Sequence, residues 1–226
     1  MTVLDIIKNA LAEINFVSAE QTLSPANEAY CFDRLNRLLD SWKTQPRYSY
    51  VTERHEFALL PSKQSYTIGP APADCVVSSR PVAIKYANLI MDAVRLPLES
   101  IKVGTYADIP MPALGSTHPI RLYYQPTYPA GTLWPWPYPT DTSMLLELFI
   151  PFVIEPYATV NDDVSWPPGY LDAITLSLAE ALCPWAGREV PAELREAARK
   201  ARAAISAVNV SALTQESDYP SGSRGG

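Results

Sequence analysis

Few side chains in this sequence have both the type and the spacing that chemistry needs. The two histidines, His55 and His118, lie far apart, on a strand-like run and in a loop. Zinc held on one helical face needs imidazoles at helical spacing, so each histidine reads as structural or solvated and no metal ligand is expected. Cys31, Cys75 and Cys183 are odd in number and widely separated, without a C-x-x-C pair, as expected of reduced thiols that fill a core. A nucleophilic thiolate requires a base or a positive neighbour, and nothing in the sequence sets His55 or His118 beside Cys75. Glu155 and the adjacent Asp162 and Asp163 are the carboxylates glycoside hydrolysis would draw on, because it needs one protonated and one ionised acid flanking the bond. Adjacent residues do not easily straddle a substrate, and Asp162-Asp163 reads better as a turn or cap ahead of the Pro167 helix. The patterns G-x-x-x-x-G-K-[ST], G-x-G-x-x-G and G-x-S-x-G are all missing, and with them the phosphate cradle, the dinucleotide turn and the nucleophile elbow. The chain reads as a non-enzyme with no catalytic, cofactor-binding or metal-binding residue.

Two other groups of residues suit contact better than catalysis. From Tyr123 to Pro139 aromatic residues alternate with prolines. Proline removes a ladder donor and confines a strand to an edge, while Tyr and Trp anchor protein interfaces. Tyr128, Trp134, Trp136 and Tyr138 are therefore candidates for a contact with another subunit. The alternative is that these rings cover their own lobe's core and the prolines stiffen a hairpin. Arg195, Arg199, Lys200 and Arg202 form a basic cluster suited to face a channel, phosphates or an acidic partner, although such a run is more often the wet side of a helix.

Composition bounds the partners. Eighteen Lys and Arg against 24 Asp and Glu give a net charge of −6. A free-standing duplex binder needs a surplus of cations to neutralise phosphates, so tight nucleic-acid binding is not expected. An acidic wall past which DNA slides is compatible with that balance. The greasiest run, Met144 to Ile154, contains Glu147 and Pro151, and no stretch approaches the ~18 apolar residues that span a bilayer. Met1 to Phe16 carries Asp5, Lys8 and Glu13 and does not read as a signal peptide, so synthesis in the cytosol is expected. Asn209-Val210-Ser211 matches a glycosylation acceptor by chance.

The elements that must position these residues are legible in outline. Thr2 and Asp5 form a capping signal ahead of Ile6, Ile7, Ala10, Leu11 and Ile14, which predicts a helix over residues 3–15. Ser24-Pro25 opens a second, with Phe32, Leu35, Leu39 and Trp42 recurring until Pro46. Seven short strand-like runs follow, over residues 53–60, 65–68, 82–89, 93–96, 120–124, 132–136 and 144–152. A short helix is expected over 100–109 and an irregular loop over 110–119. Pro167-Pro168-Gly169 opens a buried helix closed by Gly187, and Pro191 starts a last helix whose inner stripe is Leu194, Ala198, Ala201, Ile205 and Val208. The fold class is α+β. Helices at both chain ends, residues 1–46 and 165–209, are expected to form one bundle carrying a central antiparallel β-rich lobe, residues 47–164. The segment 210–226 loses periodicity and is expected to be a flexible arm that orders against a partner.

Several of these segments resemble a known family. Met1-Thr2-Val3-Leu4-Asp5-Ile6-Ile7, the block Leu35-Asn36-Arg37-Leu38-Leu39-Asp40-Ser41-Trp42 and Gln64-Ser65-Tyr66-Thr67-Ile68-Gly69 are similar to parts of the packaged-DNA stabilisation proteins of short-tailed bacteriophages. So are Arg121-Leu122-Tyr123-Tyr124, the strand Gly131-Thr132-Leu133 to Pro137, and Pro167-Pro168-Gly169-Tyr170, in the same order, to about Val208. The resemblance implies a head-to-tail adaptor in the virion's connector: a homo-oligomeric ring, a dodecamer, docked under the portal protein after DNA packaging. Such a ring seals DNA in the head and offers a platform to tail nozzle or tail-fibre proteins. It uses no cofactor and no membrane, and DNA passes its channel without sequence-specific binding. By the same resemblance Val210, Leu213, Tyr219 and Arg224 belong to an arm that reaches the portal. The competing readings are a peptidoglycan hydrolase carried in the particle, and another head-completion or tail-tube protein.

Overall fold

The computed structural model describes residues 1–17, 22–49, 51–140, 144–152 and 154–214 of a mixed α+β chain. Among them are five α-helices: α1 (Val3–Glu13), α2 (Pro25–Lys43), α3 (Val103–Ala107), α4 (Tyr170–Leu182) and α5 (Ala192–Thr214). The strands are β1 (Thr52–Ala58), β2 (Tyr66–Gly69), β3 (Cys75–Val76), β4 (Tyr86–Met91), β5 (Val94–Ile101), β6 (Gly115–Ser116), β7 (Arg121–Gln125), β8 (Gly131–Trp136), β9 (Tyr138–Pro139) and β10 (Met144–Pro151). They divide into two compact units, Met1–Tyr50 with Ile154–Gly226, and Val51–Val153.

The helical unit starts where the sequence caps it. Thr2 Oγ1 accepts from the Asp5 N–H, and the Asp5 carboxylate accepts from the Thr2 N–H at 2.8 Å. Such a reciprocal cap is worth about 1 kcal/mol, and the bond to the Thr2 backbone holds the Asp5 carboxyl below its ordinary range. One face of α1 buries Val3, Ile6, Ile7, Ala10 and Leu11. In α2 the Ser24 hydroxyl accepts from Asn27 N–H, and Cys31, Leu35, Leu39 and Trp42 line the buried side. Helix α4 packs against α1, α2 and α5. Its buried residues, Tyr170, Ala173, Ile174, Ser177, Leu178, Ala179 and Leu182, cover more than one stripe because it has a neighbour on more than one side. Arg188 donates to the carbonyls of Ile14 and Asn15, satisfying acceptors that the end of α1 leaves open.

Residues 154–164, expected in the β-rich lobe, belong with the helices. The Asn36 side chain clamps the backbone of Tyr157 at two points, each 3.0 Å, and Lys43 bonds Glu155 at 3.0 Å. Val3 N–H and Leu4 N–H donate to Asp162 and Val160, using donors that the first turn of α1 leaves free. The last helix differs from expectation too: α5 continues to Thr214, so residues 210–214 of the expected flexible arm are helical. The remainder of that segment, 215–226, lies outside the described residues.

In the second unit the strands follow the order β1-β10-β4-β5-β7-β8-β2-β3, with β6 and β9 as a separate parallel pair. Strand β5 serves both halves of the array. Residues 94–98 pair antiparallel with β4, and residues 99–101 pair parallel with β7. Both halves contribute to one apolar cluster that includes Leu59, Tyr66, Ile68, Leu89, Leu122, Leu133, Leu146 and Leu148. The region 100–109, expected to be helical, is the end of β5 followed by the five-residue α3, and β4 starts at Tyr86 rather than at 82. The prolines within strands also have a physical explanation. Pro135 of β8 pairs with Leu122 of β7, but the contact of β8 with β2 ends at Leu133. Pro97 of β5 pairs with Asn88 of β4, and β7 joins β5 only from Glu99 onward. Each proline therefore sits where its strand is paired on one side only, so no ladder bond is lost.

Candidate functional site

The aromatic and proline-rich segment folds as the β7–β8 hairpin. Its turn is held by Thr127, whose N–H donates to Gln125 O at 2.9 Å and whose hydroxyl donates to Ala130 O at 2.6 Å. Gly131, the first residue of β8, lies under the Tyr124 ring, where a Cβ would approach ring carbon at 2.5 Å. The Tyr124 hydroxyl donates to Pro81 O, and burial pushes its pKa up to about 12. At the tip Tyr128 is 92% exposed.

The other three aromatics named for this surface are partly buried in packing of their own unit. Trp134 stacks on Tyr123 with centroids 5.3 Å apart, and Tyr123 stacks on Tyr106 of α3 at 4.7 Å. The Trp136 indole N–H donates to Met111 O at 3.0 Å, while the Arg121 guanidinium lies 5.6 Å from its ring centroid. Tyr138 packs over Gly115, where a Cβ would meet the ring at 2.9 Å. Of the four, Tyr128 is the one that presents its side chain openly.

The basic cluster lies on α5. Arg195 is exposed. Arg199 binds both oxygens of Glu196, at 2.7 and 2.9 Å, and Lys200 approaches the same carboxylate at 3.7 Å. Those cations hold the Glu196 carboxyl below its usual range, and the pair in turn raises Arg199. Arg202 donates to Ser177 Oγ and Glu180 Oε2, both at 2.9 Å, tying α5 to α4. Arg199 and Arg202 also line a hollow of about 500 Å³ with Arg47, Tyr48, Ala203, Ser206 and Ala207. Of the residues assigned to the docking arm, Val210 and Leu213 lie on the last turns of α5, and Tyr219 and Arg224 lie outside the described residues.

The groups weighed for chemistry are engaged elsewhere. The Asp162 carboxylate accepts from Thr159 Oγ1 and from the N–H groups of Thr159 and Ala158, which lower its pKa; it organises a turn. It does not cap α4, whose N-cap is Gly169 at φ 87°. His55 Nε2 lies 3.1 Å from Glu53, and His118 Nδ1 lies 3.2 Å from the Thr117 hydroxyl. All three cysteines are buried, and desolvation pushes Cys31 to about 11 and Cys75 to about 12, so these groups are thiols rather than thiolates at neutral pH. Among the described residues no cluster of three or more His, Cys, Asp or Glu is arranged to hold a metal ion, and no helix is long and apolar enough to cross a membrane.

Sequence reasoning missed the most organised polar cluster. Glu147, in the middle of β10, is fully buried. Its Oε1 accepts from Arg54 Nε and from Arg95 Nη2 at 2.8 Å, and its Oε2 accepts from Asn88 Nδ2 at 2.7 Å. Desolvation is the largest single influence and pushes its pKa up, but the bonds from Asn88 and Arg54 and the charge of Arg95 together hold it below the ordinary value. Arg54 also pairs with Glu56. The available signal was the charge itself: one Glu in an otherwise apolar strand must have a partner to be buried. The register Glu56↔Glu147↔Asn88 supplies Asn88 and brings the neighbouring Arg54 onto the same face.

Compared with known proteins, the chain matches no family model and no curated protein sequence.

Proposed function

We propose that this chain is a structural subunit of the head-to-tail connector of a short-tailed bacteriophage, an adaptor that assembles as a ring under the portal and retains packaged DNA. The observation that carries the reading is that the collinear motifs fall on residues with structural work to do. Thr2 and Asp5 form the cap of α1, Asn36 clamps Tyr157, and Trp42 stacks on Tyr48 at 4.5 Å. Gly131 makes room for Tyr124, and Gly169 takes the left-handed backbone that begins α4. Capping, clamping and close packing are roles that a shared architecture would need at those positions, and this supports the reading.

In this reading α1, α2, α4 and α5 form the bundle of the ring, and the strand-rich unit meets neighbouring or tail proteins through the hairpin that ends in Tyr128. The portal-docking arm follows Thr214, and DNA passes an acidic subunit without being gripped. Assembly would then draw on many weak contacts made together around a template. A reconstruction of the intact particle tests this: the chain is expected as a ring directly beneath the DNA exit vertex. Location in a tail tube would replace the reading with another structural role, and peptidoglycan hydrolysis by the purified protein would replace it with an enzyme. Truncation after Thr214 leaves every described contact intact and is expected to abolish co-sedimentation with portal rings while the helical circular dichroism persists. Normal docking of the truncated chain would remove the arm from the proposal.

A further inference from the structure

The hollow on α5 exists because residues 203, 206 and 207 are small, Ala203, Ser206 and Ala207, where they line the same space as the 3₁₀ turn Pro46–Tyr48. Its walls are fixed in advance. Tyr170 Oη donates to Tyr48 O at 2.8 Å, Asn209 Nδ2 donates to Arg47 O at 2.8 Å, and the Tyr48 ring stacks on Trp42. The lining joins two chemistries: the Tyr48 ring and alanine methyl groups on one hand, and the guanidinium groups of Arg47, Arg199 and Arg202 on the other.

The charges there do not cancel. Arg199 has Glu196 and Arg202 has Glu180, whereas Arg47 donates to the neutral amide oxygen of Gln45 and lies 5.1 Å from the Tyr48 ring centroid. A planar guanidinium with donors in a fork is matched by a carboxylate or a phosphate. At about 500 Å³ the space is far larger than an inorganic anion requires and lies in the range of pockets that enclose small ligands and side chains. A concave, partly apolar space fits a duplex backbone poorly, and the net charge of −6 opposes nucleic acid at longer range.

We propose that this hollow binds an acidic peptide segment of a partner protein, one that presents a carboxylate beside an apolar side chain. The carboxylate pairs with Arg47 and Arg199, and the apolar side chain covers Tyr48 and the alanines. The inference does not depend on the adaptor reading. Fluorescence anisotropy on the full chain tests it, with a labelled hexapeptide of alternating Glu and Leu, the same peptide with Gln for Glu, and a labelled DNA duplex. The Glu peptide is expected to bind and the Gln peptide and duplex are not. Arg47→Gln, Arg199→Gln and Ala203→Met are each expected to weaken binding about tenfold with unchanged circular dichroism. Absence of binding by the Glu peptide, equal binding of the two peptides, or full affinity in the doubly substituted Arg47→Gln/Arg199→Gln chain overturns the proposal. Arginine-dependent binding of the duplex alone would overturn it in favour of a nucleic-acid site.

Discussion

Replacing Glu147 by Gln removes one charge from the strand-rich unit while keeping the side chain's shape. The buried carboxylate serves Arg54 and Arg95 through one oxygen and Asn88 through the other. A hydrogen bond with an ionised partner contributes ~1.5–3 kcal/mol; the two arginine bonds keep the guanidinium charge but lose the carboxylate's, and with it the ion-pair attraction, and together give up roughly 2–3 kcal/mol. The Arg54 and Arg95 side chains are 50% and 54% exposed, and the water that reaches them offsets part of that loss. The Asn88 amide can rotate to present its oxygen to the new NH₂ group. The expected destabilisation is about 2 kcal/mol, below the ~3–5 kcal/mol that follows when a buried pair leaves a buried charge alone.

The pH dependence has a definite sign. The folded pKa of Glu147 lies below its ordinary value of 4.5, so its contribution is present in full above the unfolded pKa and is lost as pH falls through the folded one. Asp5, Asp74, Asp162 and Glu196 also have lowered pKa values, but they titrate in parent and variant alike and cancel in the difference. The assay is hydrogen exchange in β10 together with urea unfolding, from neutral pH into acid. The gap between the two proteins should be largest near neutrality and should close in acid. Equal stability near neutrality, or a gap that persists below the folded pKa, would refute the assignment of Glu147 as an ionised anchor.

Three further outcomes follow from individual contacts. Gly131→Ala places a methyl 2.5 Å from the Tyr124 ring and should cost about 1–3 kcal/mol in thermal unfolding, with Tyr124→Leu in the same chain recovering part of it. Asn209→Ala removes donors to Arg47 O and Tyr170 Oη and should destabilise the helical unit by about 1–3 kcal/mol, measured by urea unfolding. Cys31, Cys75 and Cys183 should resist a thiol reagent in native buffer and react together in urea, because burial keeps them protonated and out of contact; rapid native labelling of any one would contradict its placement.

What the sequence disclosed was mostly local. The reciprocal cap of Thr2 and Asp5, the Ser24-Pro25 start and the Leu35, Leu39 and Trp42 stripe are short-range signals, and each is realised in the structure. Helix α5 runs past the point where apolar periodicity fades, because Asn209, a polar residue at that boundary, is buried and bonded to the Tyr170 hydroxyl. Residues 154–164 look like part of a strand-rich region, but their partners Met1, Asn36 and Lys43 lie more than a hundred positions away. Strand register is non-local in the same way. No local pattern says that β5 changes partners between Leu98 and Glu99, and that change is what leaves Pro97 unpaired on one side.

The same distinction separates residues that carry the fold from residues free to make contacts. Trp134, Trp136 and Tyr138, whose aromatic character suggested an interface, are partly spent on Tyr123, Met111 and Gly115 within their own unit. Tyr128 makes the hairpin's outward surface, and Arg47 brings to the α5 hollow a charge with no carboxylate beside it among the described residues. Substituting a tryptophan would therefore confound lost packing with lost association. Tyr128 and Arg47 can be changed with the core intact, so association measured on those variants reports on partners rather than on folding.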